Sequence, residues 1–152
     1  MERIASFCVD HTKLDPGIYI SRVDGDITTY DVRMKKPNKG NYLAVPAMHT
    51  IEHLLATYVR NSALKDNVIY AGPMGCRTGF YLLLRSTEHL QAITLIQDTF
   101  AFIAAFTGDI PGASEVECGN YREQDLPGAK AEAAAYLPII QNYKENMLYY
   151  AQ

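Results

Sequence analysis

The sequence predicts an α+β fold in which an antiparallel sheet packs against helices. Two observations favour it: the strand-like segments form two pairs around turn-rich loops, and the long helical segments lie between and after these pairs. Strict alternation of strand and helix, typical of a parallel doubly wound sheet, does not occur. The 152 residues, 48% hydrophobic and 20% charged, suit one domain over residues 1–152.

The first strand pair is a predicted hairpin near the N-terminus. Ile18–Val23 and Ile27–Met34 are rich in β-branched residues. Asp24-Gly25-Asp26 lies between them, and Asp-Gly is a strong hairpin signal. Because Pro37 lacks a backbone donor, a loop is expected over residues 35–40.

A helix is predicted between the two strand pairs. It begins at Pro46 and ends near Asn61, since apolar residues repeat at the spacing of one helical face. The second antiparallel pair follows at Val68–Ala71 and Phe80–Leu84. The residues between these strands are dense in glycine and include a proline, as expected of a loop.

Two helical regions are predicted in the C-terminal half. Ser86 or Thr87 can cap a long, largely buried helix that runs through Ile103 and stops near Gly108. A turn-rich segment follows over residues 109–120.

The last helical region is rich in alanine and spans Pro127–Tyr136. Proline has no N–H and clashes with the preceding turn, so Pro138 is expected to interrupt this helix. The helix is then expected to resume and continue to Tyr150.

Composition excludes several functional classes. The net charge is −3 and the basic residues are scattered, so binding to nucleic acid or to an anionic membrane is not expected. No targeting or membrane-spanning segment and no glycine-rich nucleotide motif is recognisable. Three cysteines far apart, Cys8, Cys76 and Cys118, predict reduced thiols and a cytoplasmic location.

The first helix carries a metal-binding pattern, His49-Thr50-Ile51-Glu52-His53. Residues four apart differ by about 40° around a helix, so both histidines point the same way and can share one ion. At about 100° per residue, they lie opposite the apolar stripe and in line with Arg60. Glu52 lies at the edge of this face, where a carboxylate suits a general base. The sequence thus predicts a metal site on a central helix.

An open catalytic site needs a third protein ligand, and the candidates are the three cysteines, His11, His89 and downstream carboxylates. Cys118 follows a polar loop and precedes a glycine, whereas structural cysteines usually lie in apolar runs. Cys76 lies between glycine-containing segments and beside Arg77, which favours a reactive thiol. We prefer Cys118 as ligand and Cys76 as the acid or base, but spacing also allows the reverse. Cys8, between Phe7 and Val9, is expected in the core.

Three polar residues outside this helix have two interpretations each. His11 and Ser6 suit structural hydrogen bonds as well as substrate contacts. Arg33, at the end of a strand, is by default a solvated residue and alternatively a clamp for an anion or hydroxyl. His89 is interpreted as a surface residue.

Three segments carry a family resemblance, and they occur in the order found in S-ribosylhomocysteine lyases. The chain therefore resembles the LuxS family. The segments are His49–Ala56, Pro73–Tyr81 and Glu117–Gly119. Shorter matches extend the resemblance over nearly the whole chain, at Ser6-Phe7, Asp10-His11, Tyr30–Arg33, Pro37–Lys39, Asp125-Leu126 and Gly128–Lys130.

The resemblance implies cleavage of the thioether of S-ribosylhomocysteine. The products are homocysteine, an intermediate of the activated methyl cycle, and 4,5-dihydroxypentane-2,3-dione, the precursor of the quorum-sensing signal autoinducer-2. A carbonyl moves along the ribose by two enolisations, with the metal as Lewis acid, and the thiol is then eliminated. The resemblance also implies a cytoplasmic homodimer with its active site at the subunit interface.

The resemblance further assigns roles to individual residues. His49, His53 and Cys118 would bind one divalent ion, natively Fe(II), with zinc or cobalt as substitutes. Cys76 and Glu52 would move protons between carbon atoms. The positions matching substrate contacts are Ser6, His11 and Arg33 at the ribose end and Arg60 near the homocysteine end.

One segment departs from the family pattern. Where many relatives have Asp-Ile-Ser, this chain reads Tyr70-Ala71-Gly72. The change removes a carboxylate expected to face the amino group of homocysteine. It bears on substrate affinity and leaves the reaction itself unaffected.

Two rival functions use the same histidines. An inverted zincin would take Glu132 as a distal carboxylate for peptide hydrolysis, but it leaves Cys76 without a role. A metal-stabilised or metal-sensing module would need a fourth protein ligand, such as His11.

Overall fold

The two predicted strand pairs join into one four-stranded antiparallel sheet. The computed structural model describes residues 1–151 and orders the strands β1-β2-β4-β3. The strands are β1 (Gly17–Asp24), β2 (Ile27–Arg33), β3 (Val68–Pro73) and β4 (Gly79–Arg85). The α-helices within residues 1–151 are α1 (Val45–Arg60), α2 (His89–Ala105) and α3 (Leu126–Ile140). The predicted α+β class with an antiparallel sheet and a single domain is confirmed.

The sheet has two chemically different faces because successive side chains alternate across a strand. Its inner face packs against the helices with residues that are at most 1% exposed, namely Ile18, Tyr30, Val32, Phe80, Leu82 and Leu84. Its outer face carries a cross-strand row in which Asp31 pairs with Tyr19 on β1 and with Tyr81 on β4. Arg33 lies two residues further along β2 on the same face, opposite Gly17 and Gly79.

Helix α1 buries the apolar stripe that its sequence predicts. Ile51, Leu54, Leu55 and Val59 are fully buried in the core. His49 and His53 project from the other side of the helix and are partly buried. Helix amphipathicity therefore sets the orientation of the two histidines.

The predicted N-cap of the second long helix is wrong. The residue at the N-cap of α2 is Glu88, not Ser86 or Thr87, and its backbone N–H donates to Gln91 Oε1 at 3.2 Å. Ser86 instead has a positive φ of 50° in the preceding turn, where its N–H donates to Asp26 O at 2.7 Å. The side chain of the third helical residue thus satisfies the orphan donor at this helix start.

The predicted interruption at Pro138 is also wrong, because α3 continues through it to Ile140. Two contacts support this last turn: Ile140 is fully buried, and Gln97 Nε2 on α2 donates to Ile140 O at 2.7 Å. The helix does not resume to Tyr150; the only helical turn beyond it, up to residue 151, is a short 3₁₀ turn (Glu145–Met147). Within residues 1–151, no helix has the length and hydropathy needed to cross a membrane.

Candidate metal centre

Two residues of α1 and one loop residue bring three ligand atoms together. His49 Nε2 and His53 Nε2 lie 3.1 Å apart, and Cys118 Sγ lies 3.5 Å and 3.7 Å from them. Ordinary zinc–nitrogen and zinc–sulfur bond lengths in a tetrahedral site would separate two nitrogens by about 3.3 Å and nitrogen from sulfur by about 3.6 Å. The spacing fits a divalent ion at the centre of the group.

The hydrogen bonds of the imidazoles support this interpretation. His49 Nδ1 lies 2.8 Å from Glu123 O, and His53 Nδ1 lies 2.7 Å from Pro111 O. Because a carbonyl oxygen can only accept, each Nδ1 must carry the proton. In the neutral rings both Nε2 lone pairs then face each other, an arrangement that a bound cation stabilises.

The loop between α2 and α3 presents Cys118 to the two histidines. Its backbone N–H donates to Ser114 O at 3.0 Å, and Ser114 Oγ donates to Glu117 Oε1 at 2.8 Å. The N–H of Asn120 points at Cys118 Sγ at 3.5 Å. This backbone contact helps to fix the position of the sulfur in the group.

Thr50 ties the same loop to α1, a role that the sequence analysis missed. Its hydroxyl is buried, donates to Gln124 Oε1 at 2.7 Å and accepts from Asp125 N at 2.9 Å. Glu123, whose carbonyl accepts the hydrogen bond from His49 Nδ1, directly precedes Gln124. The one signal in the sequence was that Thr50, a polar residue next to His49, falls on the buried side of α1.

Gly112 lies directly against His53. Its φ is +70°, and a β-carbon at this position would lie 3.3 Å from His53 Nδ1. Glycine thus permits both the left-handed backbone and the close approach of the loop to the ligand.

Cys76 lies in the loop between β3 and β4, beside the outer face of the sheet. Its sulfur is 3.1 Å from Thr78 Oγ1 and 4.0 Å from Arg33 Nη1, and Arg33 Nη1 donates to Thr78 Oγ1 at 2.8 Å. Since the guanidinium can only donate, the Thr78 oxygen accepts from it and its own proton is available to the sulfur. These donors stabilise negative charge on Cys76.

Arg33 is 4% exposed, so the default expectation of a solvated arginine is wrong. Its Nη2 donates to Asp31 Oδ2 at 2.7 Å, and the Asp31 carboxylate is itself buried. Burial acts to lower the pKa of Arg33, but the charge and hydrogen bond of Asp31, with a smaller contribution from Cys76, raise it above its ordinary value. The guanidinium therefore stays charged.

Four further predicted site residues are not members of the metal triad of His49, His53 and Cys118. Glu52 is partly buried on α1 and makes no hydrogen bond or ion pair to the described residues, and Arg60 is exposed at the end of α1. Ser6 lines a cavity of about 280 Å³ on the outer face of the sheet with Tyr81. His11 Nδ1 lies 2.8 Å from Val9 O. In the described chain, no hydrogen bond joins any of these residues, or Cys76, to the triad.

Two other expectations are corrected, and in the described part of the chain both rival functions lack the ligand that they require. Cys8 is exposed rather than in the core. His89 is partly buried, with Nδ1 2.7 Å from the hydroxyl of buried Tyr30. Glu132 forms an ion pair with Lys35 Nζ at 2.6 Å and is not in the candidate metal group. Among residues 1–151 that group has three members, so neither the zincin carboxylate nor a fourth ligand such as His11 is present.

The departure at residues 70–72 is explained by packing within β3. Tyr70 and Gly72 are two residues apart on the same face, and Tyr70 is 51% exposed. A β-carbon at Gly72 would overlap the Tyr70 hydroxyl. With Tyr70 in this orientation, position 72 therefore requires a glycine.

The fold and the site define an α+β protein with a candidate metal centre of two histidines from one helix and one loop cysteine. The family described as S-Ribosylhomocysteinase (LuxS) matches residues 4–147. The chain belongs to this family and is an enzyme of the carbon–sulfur lyase class.

Full-length relatives agree with the family match. A protein of Desulfotalea psychrophila named S-ribosylhomocysteine lyase is 50% identical over 157 aligned residues, covering 99% of each chain. A protein of the same name from Phocaeicola vulgatus is 48% identical, covering 99% of this chain and 98% of its own. A third, from Clostridium beijerinckii, is 46% identical with 99% of each chain covered.

Proposed function

We propose that residues 1–152 form a single metalloenzyme domain that cleaves S-ribosylhomocysteine into homocysteine and 4,5-dihydroxypentane-2,3-dione. Family membership and the names of the relatives support this substrate. The observation that carries the metal dependence is the pair of Nε2 atoms 3.1 Å apart whose Nδ1 partners are backbone carbonyls. The products would serve autoinducer-2 synthesis in quorum sensing and the activated methyl cycle.

His49, His53 and Cys118 would hold one divalent ion per chain, Fe(II) natively, with zinc or cobalt as substitutes. A set of two imidazoles and one thiolate suits these borderline metals. When bound, the ion supplies Lewis-acid polarisation of a sugar oxygen. Three protein ligands leave a position for that oxygen.

Cys76 and Glu52 would move the protons. Each enolisation removes a proton from one ribose carbon and returns a proton to its neighbour, so it needs groups that act as base and then as acid. Cys76 Sγ has donors in Thr78 and Arg33 that stabilise its charged form. Glu52 has no protein partner among the described residues, which suits a carboxylate that must accept a proton. In the last step a base removes a proton from the carbon next to the carbonyl, and the electron pair of that bond forms a carbon–carbon double bond as the carbon–sulfur bond breaks. The sulfur takes up a proton and leaves as the homocysteine thiol.

Four further residues would position the substrate. Ser6, His11 and Arg33 would contact the ribose end, and Arg60 the homocysteine end. Ser6 and Arg33 both belong to the outer side of the sheet, as does the sulfur of Cys76. Because Tyr70 occupies the place of a carboxylate found in many relatives, we expect weaker binding of the substrate amino group and a higher KM.

A homodimer with the active site at its interface would complete the site. No hydrogen bond joins Cys76 to the triad within residues 1–151. Apolar side chains are exposed beside the outer face of the sheet, at Ile4 (57%), Phe7 (66%) and Tyr70 (51%). Burial of such a patch is a driving force for association. Free cysteines are consistent with a cytoplasmic location.

The test is thiol release. Purified protein should hold about one divalent ion per chain and release homocysteine from S-ribosylhomocysteine, measured with a thiol reagent. Protein stripped by a chelator and then reloaded with Fe(II), cobalt or zinc is the matched control. Absence of thiol release from each reloaded form would contradict the proposed reaction.

A further inference from the structure

The segment from Leu148 to Tyr150 folds back onto the sheet and reaches Asp31, the ion-pair partner of Arg33. Leu148 is fully buried, and its carbonyl accepts from Ile20 N at the edge of β1 at 2.7 Å. Tyr150 stacks on Tyr19, with ring centroids 5.0 Å apart and planes 18° from parallel. These contacts fix the Tyr150 ring over the outer face.

The Tyr150 hydroxyl donates to Asp31 Oδ2 at 2.7 Å, the same oxygen that Arg33 Nη2 contacts at 2.7 Å. Burial, followed by the charge of Asp31, raises the pKa of Tyr150 well above its usual value. The phenol therefore remains a donor. It links the C-terminal segment to the Arg33 cluster, which consists of Asp31, Arg33, Thr78 and Cys76.

The pairing of Arg33 with Asp31 is incomplete. Asp31 Oδ1 and Arg33 Nε are both buried and have no hydrogen-bond partner. A guanidinium and a carboxylate usually form two parallel hydrogen bonds, and that arrangement would satisfy both atoms. It would also rotate Arg33 and change the position of Nη1, which now lies 2.8 Å from Thr78 Oγ1 and 4.0 Å from Cys76 Sγ.

We infer that Tyr150 is a positioning residue: its hydroxyl occupies Asp31 Oδ2 and so holds Arg33 in the pose that places Nη1 beside Thr78 and Cys76. The inference rests on the proposed function, because that function gives Cys76 its role as proton carrier. Tyr150 itself acts only through Asp31 and Arg33.

The experiment compares Tyr150→Phe with Tyr149→Phe in the full-length, metal-loaded protein. Tyr149 is 63% exposed and has no hydrogen bond through its hydroxyl in the described chain, so it is a matched control. The rate at which iodoacetamide alkylates Cys76 is followed peptide by peptide with mass spectrometry, and exposed Cys8 is an internal control. Homocysteine release and thermal unfolding are measured on the same samples.

Tyr150→Phe should slow alkylation of Cys76 and homocysteine release about tenfold, the usual effect of losing one hydrogen bond to a charged group. Alkylation of Cys8 and the properties of Tyr149→Phe should not change. Equal rates of Cys76 alkylation in the two variants would overturn the inference. So would a Tyr150→Phe variant that unfolds at a lower temperature and in which the alkylation rates of Cys8 and Cys76 both fall. If Cys76 alone slows but the parent protein releases no thiol, the positioning role stands and the proposed lyase function fails.

Discussion

The metal triad brings together three ligand atoms and contains no positively charged residue, whereas the Arg33 cluster contains both a guanidinium and the carboxylate that balances its charge. In the triad, the backbone carbonyls of Glu123 and Pro111 accept hydrogen bonds from the two Nδ1 atoms, so the two Nε2 lone pairs face the sulfur. In the cluster, a buried carboxylate neutralises a buried guanidinium. The first region is thus built to receive a cation, and the second is built to hold a side chain in one pose.

The two regions also differ in how they are assembled. The histidines come from one helix and need a single loop to complete the triad. The Arg33 cluster draws on strand β2, the β3–β4 loop and the end of the chain. A defect in the triad should therefore appear as lost metal, and a defect in the cluster as lost reactivity with metal retained.

The largest expected effect separates the two thiols. Cys118→Ala should lose both the metal and turnover, because two imidazoles remain as ligands. Cys76→Ala should keep the metal and lose turnover by a factor of about 10³ or more, since removal of a proton-transfer group costs about 10² to 10⁴ and the neighbouring donors lose their charged partner. Metal content by atomic emission and homocysteine release are the measurements.

Cys8→Ala is the matched control for both cysteine variants, because Cys8 is exposed and lies outside both regions. It should retain metal and turnover. The opposite pattern, with metal lost from Cys76→Ala and kept by Cys118→Ala, would show that the roles of the two thiols are exchanged.

The two histidines of the triad were predictable from the sequence because their information is local: helical spacing puts His49 and His53 on one face whatever the tertiary structure. Local sequence left Cys118 and Cys76 interchangeable, since each lies in a loop beside a glycine, and the family resemblance selected Cys118. The same helical spacing predicted α1, whereas β-branched segments around turn residues predicted the strands. Interruption of α3 at Pro138 was wrongly predicted, because tertiary contacts of Ile140 support the last turn.

The Arg33 cluster was not predictable in the same way. A strand-end arginine reads as solvated unless the residues that cover it are known, and Tyr150 is 117 positions away from Arg33 in the chain. Thr50 was missed for a similar reason, since its partners Gln124 and Asp125 are far away in sequence. Long-range hydrogen bonds leave no periodic pattern.

A medium effect is expected from two glycines of the loop that holds the triad. Gly108 and Gly112 both have positive φ, +108° and +70°, but only Gly112 has neighbours within 4 Å, with His53 closest. Alanine at either position should lower the free energy of unfolding by about 1 kcal/mol through backbone strain. Only Gly112→Ala should also weaken metal binding, by about 10-fold to 100-fold, because it displaces a ligand.

Metal affinity by competition with a chelator distinguishes the two glycine variants, and urea unfolding shows that their backbone costs are similar. Equal affinities would mean that the loop adjusts around His53. The triad would then be less rigid than its hydrogen bonds indicate, and the contrast between the two regions would be weaker.

The smallest expected effect probes the charge built into the outer face. Burial raises the pKa of Tyr19 to about 12, with smaller electrostatic contributions in the same direction from Tyr143, Asp15 and Asp31. An unfolded chain releases the phenolic proton near pH 10, so the folded chain binds more protons above that pH. The stabilising contribution is complete below about pH 10 and is lost as the pH rises through about 12.

Tyr19→Phe removes the group that titrates but keeps the ring that stacks on Tyr150. Its free energy of unfolding, measured in urea from about pH 9 to about pH 12, should fall less with pH than that of the parent, by under about 1 kcal/mol for this partly exposed site. Tyr149→Phe, altered at an exposed position, should follow the parent curve. If Tyr19→Phe also follows it, then burial and neighbouring charge do not raise the pKa of Tyr19 in the folded chain, and the outer face encloses this hydroxyl less closely than its contacts indicate.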